Sequence, residues 1–212
     1  MTIEQARVEF IKSIAGLNVN YRDNSSVVIM ESLIKNYNFV VTDEFLRTTI
    51  PRNMNVDMLI FFNNYADLSK YTVEISIMFS YSCLIPDSNF IDKITNLGFD
   101  ILELCNMHKE FTSSPLYYAI CNSKPNVLKT LLNLGIDFKT HELAALKFCI
   151  QCMHDDHLKM LVSYGADVTI LKNIKINEFE EHESLTNIYN ILEEYGIEPL
   201  ITALMFSTIG NN

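Results

Sequence analysis

Four potential metal ligands, Cys149, Cys152, His154 and His157, lie within nine residues of the chain. Thiolate and imidazole are ligands that tetrahedral zinc favours, and the same groups could act as nucleophile and base in a cysteine hydrolase. A closed zinc site, however, usually draws its ligand pairs from two separated knuckles, not from one helix and the turn behind it. The local pattern puts Cys149 and Cys152 on a helix, with Cys149 on its buried side, and puts His154 and His157 at the turn and the start of the next helix. The expectation is therefore a small buried cysteine beside surface histidines, with no metal, no cofactor and no catalytic residue. No nucleophile signature surrounds Cys121 or Cys152. The competing reading is a small metal-dependent or cysteine hydrolase built on the Cys149 to His157 cluster, which metal analysis would discriminate.

Other chemistry is sparse. The six glycines, at 16, 98, 135, 165, 196 and 210, never approach one another, so no phosphate-cradling loop is encoded. Asp155 and Asp156 open a predicted helix, where carboxylates suit the positive end of the helix dipole without any catalytic role. Residues 178 to 198 hold seven glutamates and no Lys or Arg. That stretch reads as a solvated face on a terminal capping unit, or alternatively as an acidic docking surface for a basic partner. It carries seven of the ten net negative charges, leaving the other 191 residues at −3. Without a basic stripe, nucleic acid is not an expected partner.

The elements that position these residues follow from composition and period. Of the 212 residues, 49% are apolar and 20% charged, a globular and not a disordered balance. Six glycines and five prolines are few for a turn-rich β protein, so helices joined by short loops are favoured. The longest apolar run, Leu116 to Cys121, is far below the roughly 20 residues that span a bilayer. Glu4, Arg7 and Glu9 interrupt any secretory leader, and five irregularly spaced cysteines do not form a disulfide framework. An intracellular location, cytoplasmic or nuclear, is the default expectation, with no membrane partner.

A repeat runs through the chain. Leu131-Leu132-Asn133-Leu134-Gly135-Ile136-Asp137-Phe138 is echoed by Leu161-Val162-Ser163-Tyr164-Gly165-Ala166-Asp167-Val168. Weaker copies end at Gly98-Phe99-Asp100 and Gly196-Ile197-Glu198, and Tyr65-Ala66-Asp67 has Tyr65 in the glycine slot. Val127, Leu128, Leu131 and Leu132 follow helical spacing, and Gly135 behind them suits a left-handed C-terminal cap. Ser114 and Pro115 supply an N-cap and a first-turn proline for an earlier, shorter helix. Each unit is thus helix, turn, helix, loop. Met54, Met58, Phe61, Phe62, Met78 and Phe79 recur at helical spacing and are assigned to the core. The 37 residues between Gly98 and Gly135 place extra chain before Ser114, and the expectation is a longer loop projecting there.

Ser114-Pro115-Leu116-Tyr117 through Gly135-Ile136-Asp137-Phe138-Lys139 resembles the ankyrin repeat family, and Ala144 through Gly165-Ala166-Asp167-Val168-Thr169 repeats the resemblance with a degraded opening. Gly16-Leu17-Asn18-Val19-Asn20 also looks like a repeat ending, with a second helix at Arg7 to Ala15. Ser26 to Tyr37 is then either an extra helix or an eroded unit. The resemblance implies an all-α helix-turn-helix solenoid in one domain over residues 1–200. Its best repeats are 112–138 and 142–169, with weaker ones at 40–68, 72–101 and 171–198, an irregular stretch at 1–37 and a tail at 201–212. An unrelated helical bundle is the alternative.

The function implied by the resemblance is non-enzymatic binding of a protein partner through a concave face and loop tips, as a monomer. Carried over by alignment, the partner-binding residues are Glu110, Phe111, Ser113, Cys121 and Asn122 in one unit and His141, Leu143, Gln151 and Cys152 in the next. Divergent repeats with 24 Ile and 21 Asn resemble ankyrin proteins of giant DNA viruses. That raises the further alternative of a viral adaptor recruiting host proteins to a ubiquitin ligase, although no F-box-like segment is recognisable after Gly196.

Overall fold

In the computed structural model, residues 40–52, 56–86, 88–122, 125–173 and 186–197 are described, with a few isolated positions before residue 37. The readings at 1–37, Met54, residues 178–185 and Glu198 of the acidic run 178–198, and the 201–212 tail lie outside the described residues. The architecture is all-α, with no strand among the described residues. It divides into two compact units, Met1–Ser82 with Ser88–Met107, and Cys83–Asp87 with His108–Asn212.

In the first unit, α1 (Asp43–Thr49) is capped by Thr42, which accepts the Phe45 N–H through its hydroxyl. A 3-10 turn at Ile50–Arg52 leads to α2 (Val56–Phe62), which buries Val56, Met58, Leu59, Phe61 and Phe62. α3 (Thr72–Ser82) and α4 (Asn89–Asn96) follow, the latter burying Phe90, Ile91 and Ile94 on one face. Buried Tyr71 donates its hydroxyl to Asp43 at 2.6 Å, and Arg47 lies over its ring while pairing with Glu74 at 2.6 Å. Burial first, then the Asp43 hydrogen bond, pushes the phenol up to about 12.

The extra chain behind Gly98 corrects the expectation of a projecting loop. It folds as α5 (Ile101–Asn106), packed on α3 and α4 with Ile101, Leu104 and Cys105 buried. The physical reason is local. Asp100 caps the helix by accepting the N–H groups of Leu102 and Glu103, and the apolar side chains at Ile101, Leu104 and Cys105 line one side of its turns.

In the second unit a 3-10 turn at Phe111–Ser113 precedes α6 (Pro115–Cys121) and α7 (Asn126–Asn133). Another 3-10 turn, Lys139–His141, precedes α8 (Glu142–Gln151) and α9 (Asp155–Ser163). A third, Val168–Asn173, comes before α10 (Thr186–Glu194). α6 packs on α7 and α8, α8 on α9, and α9 on α10, so each unit covers the apolar side of its neighbour. Leu116, Ala119, Val127, Leu128, Leu131, Leu146, Cys149, Leu158 and Leu161 form this core.

One aspartate accounts for much of the period. Asp67 and Asp167 each accept the backbone N–H and hydroxyl of the residue two places on, Ser69 and Thr169. Asp137 accepts the Lys139 N–H and the Thr140 hydroxyl. The next residue in each copy, Leu68, Ile101, Phe138 or Val168, is buried and anchors the loop to the core. Upstream, Gly135 and Gly165 sit at φ of +85° and +92°, while Ile136 and Ala166 donate back to Leu131 and Leu161. A left-handed residue makes that closure possible. Tyr65 closes differently: Ala66 donates to Phe62, four residues back, with no positive φ, so glycine is dispensable in that copy.

Candidate functional site

Aromatic side chains of the second unit cluster where α6, α8 and the turns ahead of them meet. Phe111, held half-buried by the turn ahead of α6, lies 5.4 Å edge-on to Tyr117 of α6. It also lies 6.0 Å from His141 and 6.0 Å from Phe148, both contributed by the next repeat. Tyr117 packs against Phe148 at 4.8 Å and Tyr118 at 5.2 Å. All five of these neighbouring side chains keep partial solvent exposure. Aromatic pairs of this kind hold their geometry at low entropic cost and present large apolar area, which is the composition of interface anchors.

Most of the residues expected to contact a partner surround this patch. Glu110, Ser113, Leu143 and Gln151 are exposed, while Phe111, Cys121, His141 and Cys152 are half-exposed. Asn122 requires correction. It is only 4% exposed, and its amide reaches the carbonyl of Cys83 at 3.4 Å. Its position one residue beyond α6 turns it inward, where it serves the fold and cannot meet a partner. Tyr117 and Phe148, central to the patch, were not among the expected residues, although they lie near Phe111 and Cys152 in the chain.

The Cys149 to His157 cluster does not assemble as a reactive centre. Among the described residues, no three His, Cys, Asp or Glu side chains converge to hold a metal ion. Cys149 is buried in the helical core, and burial pushes its thiol far up. Cys121 and Cys152 are also held above the ordinary thiol range, chiefly by burial, which is opposite to the activation a nucleophile needs. His154 spends its Nδ1 on the carbonyl of Ile120 at 2.7 Å and not on a thiol.

His157 corrects a second expectation, that both histidines are on the surface. It is 2% exposed, and its ring lies 5.0 Å from that of His154. The repeat register explains this: His157 occupies on α9 the slot that Val127 fills on α7, thirty residues earlier. Burial lowers its pKa, with His154 adding to the effect, while backbone contacts to Asn122 and Ala119 oppose it. Its Nε2 has no hydrogen-bond partner among the described residues. Both histidines thus lean on the C-terminal end of α6, linking one repeat to the previous one.

Beside the aromatic patch is an open cleft of about 440 Å³ lined by Lys139, Thr140, His141, Glu142, Leu143, Ala144, Lys147 and Ile170. Lys139 pairs with Glu142 at 2.6 Å and donates to the Gly165 carbonyl, and Glu142 also accepts the Asp167 N–H at 2.7 Å. These bonds fasten the loop of one repeat to the loop of the next.

Residues 86–172 match the family described as ankyrin repeats, in three copies. No curated protein and no solved structure matches the chain. With capped helix pairs and recurring Gly-x-Asp loops, residues 86–172 are similar to ankyrin repeats, which are generally protein-interaction modules. No helix among the described residues is long and apolar enough to cross a membrane.

Proposed function

We propose that this chain is a non-catalytic recognition module that binds a protein partner through the first-helix face and loop tips of its second unit. The aromatic patch of Phe111, Tyr117, Tyr118, His141 and Phe148 carries the reading, since it joins two successive repeats and stays accessible. Leu143 is exposed next to it, and Gln151 and Cys152 end the α8 helix alongside. Recognition here involves no chemical step. Five free cysteines, three of them buried, suit a reducing intracellular compartment.

The test is a binding titration. A partner is captured from the native host with the full chain, identified, purified and titrated against wild type, Tyr117→Ser and Phe148→Ser, with circular dichroism to verify the fold. Each substitution should weaken binding at least about tenfold, the usual effect of truncating an anchor. Unchanged affinity in both folded variants would remove the aromatic face from the account.

A further inference from the structure

Two imidazoles fasten one repeat of the second unit to the next. His154 bonds the Ile120 carbonyl through Nδ1 at 2.7 Å, and His157 meets the backbone of Ala119 and Asn122, so both rings reach the end of α6 from the following repeat. The His154 N–H in turn donates at 2.8 Å to the carbonyl of Cys149, a fully buried residue of α8. α6 and α8 are the helices that carry Tyr117 and Phe148 of the aromatic face.

This joint accommodates His157 only as a neutral ring. The residue is 2% exposed, and its Nε2 has no hydrogen-bond partner among the described residues. A proton added at Nε2 leaves a buried N–H without an acceptor and places a charge in the core, where neither is solvated. The His154 ring, 5.0 Å away, opposes that charge, while exposed Asp156 favours it and Asp155 is engaged by Lys159 at 3.7 Å. α6 brings no charged residue, only the backbone of Ala119 and Asn122 and the titratable groups of Tyr117, Tyr118 and Cys121. α8 brings the thiols of Cys149 and, just behind it, Cys152, with Glu142 and Lys147 in earlier turns. α7 holds exposed Lys129 alone, and α10 has exposed Glu193 and Glu194 in its last turn.

We propose that the His154–His157 pair makes this junction a proton-sensitive joint, closed at neutral pH and opening locally, with the α6 and α8 face it supports, as pH falls. The joint acts whatever partner the face binds, so it stands apart from the protein-binding reading. Opening returns His157 to water and to its ordinary value of 6.5, whereas burial lowers it in the closed form. The open form therefore binds more protons, and opening becomes easier as pH falls through 6.5. One proton changes the opening equilibrium by at most about tenfold per pH unit.

The experiment reads opening from two buried cysteines of the full chain, Cys149 at the joint and Cys105 on α5 of the first unit. Labelling by dithiodipyridine is followed at each site by mass spectrometry from pH 7.5 to 5.5, relative to the urea-unfolded chain at the same pH. Protection of Cys149 should fall about three- to tenfold per pH unit below 6.5, and that of Cys105 should hold. Amide exchange, corrected for its intrinsic rate, should lose protection over residues 117–121 and 146–151 and keep it over 75–82. In folded His157→Val the Cys149 slope should disappear. Constant protection of Cys149, an equal fall at Cys105, or a slope that persists in the folded variant overturns the proposal. The comparison of the two cysteines in the wild-type chain decides it even where His157→Val does not fold.

Discussion

At the scale of the residue, two side chains occupy positions that the repeat would fill differently, and each gives a measurable consequence. Met153 adopts a φ of 55° in the turn from α8 to α9, where it donates to Ile150 and His154 donates to Cys149. This is the closure that Gly135 and Gly165 make elsewhere, with a side chain in the left-handed slot. An L-residue there costs roughly 1–2 kcal/mol, partly offset by the entropy that glycine gives up on folding. Met153→Gly should therefore raise stability by about 0.5–1 kcal/mol, read as a higher urea midpoint at unchanged slope. His157 acts in the other direction. Its folded pKa lies below the ordinary 6.5, so the unfolded chain binds the proton more readily as pH falls. The groups facing it are His154, Asp156 and the backbone of Ala119 and Asn122. Stability is full above about pH 7 and is lost as pH falls through 6.5 towards the lowered value. His157→Val, the residue of the preceding repeat, should flatten that slope between pH 5 and 7. An equally steep fall in the variant would place the titration elsewhere.

At the scale of the element, short capped helices carry the fold, so loss of a cap should be felt. Asp100 holds the N–H groups of Leu102 and Glu103 at 2.8 and 3.3 Å. Asp100→Ala should cost about 1 kcal/mol and speed hydrogen exchange across Ile101–Asn106 before the rest of the first unit. Leu131→Ala, at a position fully buried in the repeat core, should cost about 2–5 kcal/mol in thermal or urea unfolding of the second unit. These two outcomes separate a local contribution from one shared between repeats. They also show what the chain made legible. Ser114-Pro115 and Gly135-x-Asp137 each encode a backbone geometry that few residues support, so the helix pair from 115 to 133 could be read directly. The 37-residue spacing revealed extra length but not its conformation, because a spacing cannot distinguish loop from helix. Asp100 followed by Ile101, Leu104 and Cys105 held that information as a cap and an apolar side of a turn. The residue type of His157 suggests a surface position, whereas its register against Val127 decides its burial.

At the scale of the whole molecule, the candidate surface joins residues distant in sequence. Phe111 meets Tyr117, His141 and Phe148 at separations of 6, 30 and 37 residues, so only the stacking of repeats brings them together. Helical periodicity within a single unit cannot report that. The most direct measurement of the central claim is site-specific photo-crosslinking of the full chain to its purified partner. The crosslinker is placed at Leu143, exposed beside the patch, or at Lys159, exposed on α9. We expect efficient adducts from position 143, almost none from 159, and loss of the former when Phe148→Ser is added to the folded protein. Equal adduct yield from position 159, or yield from 143 that Phe148→Ser leaves unchanged, would contradict recognition through the first-helix face.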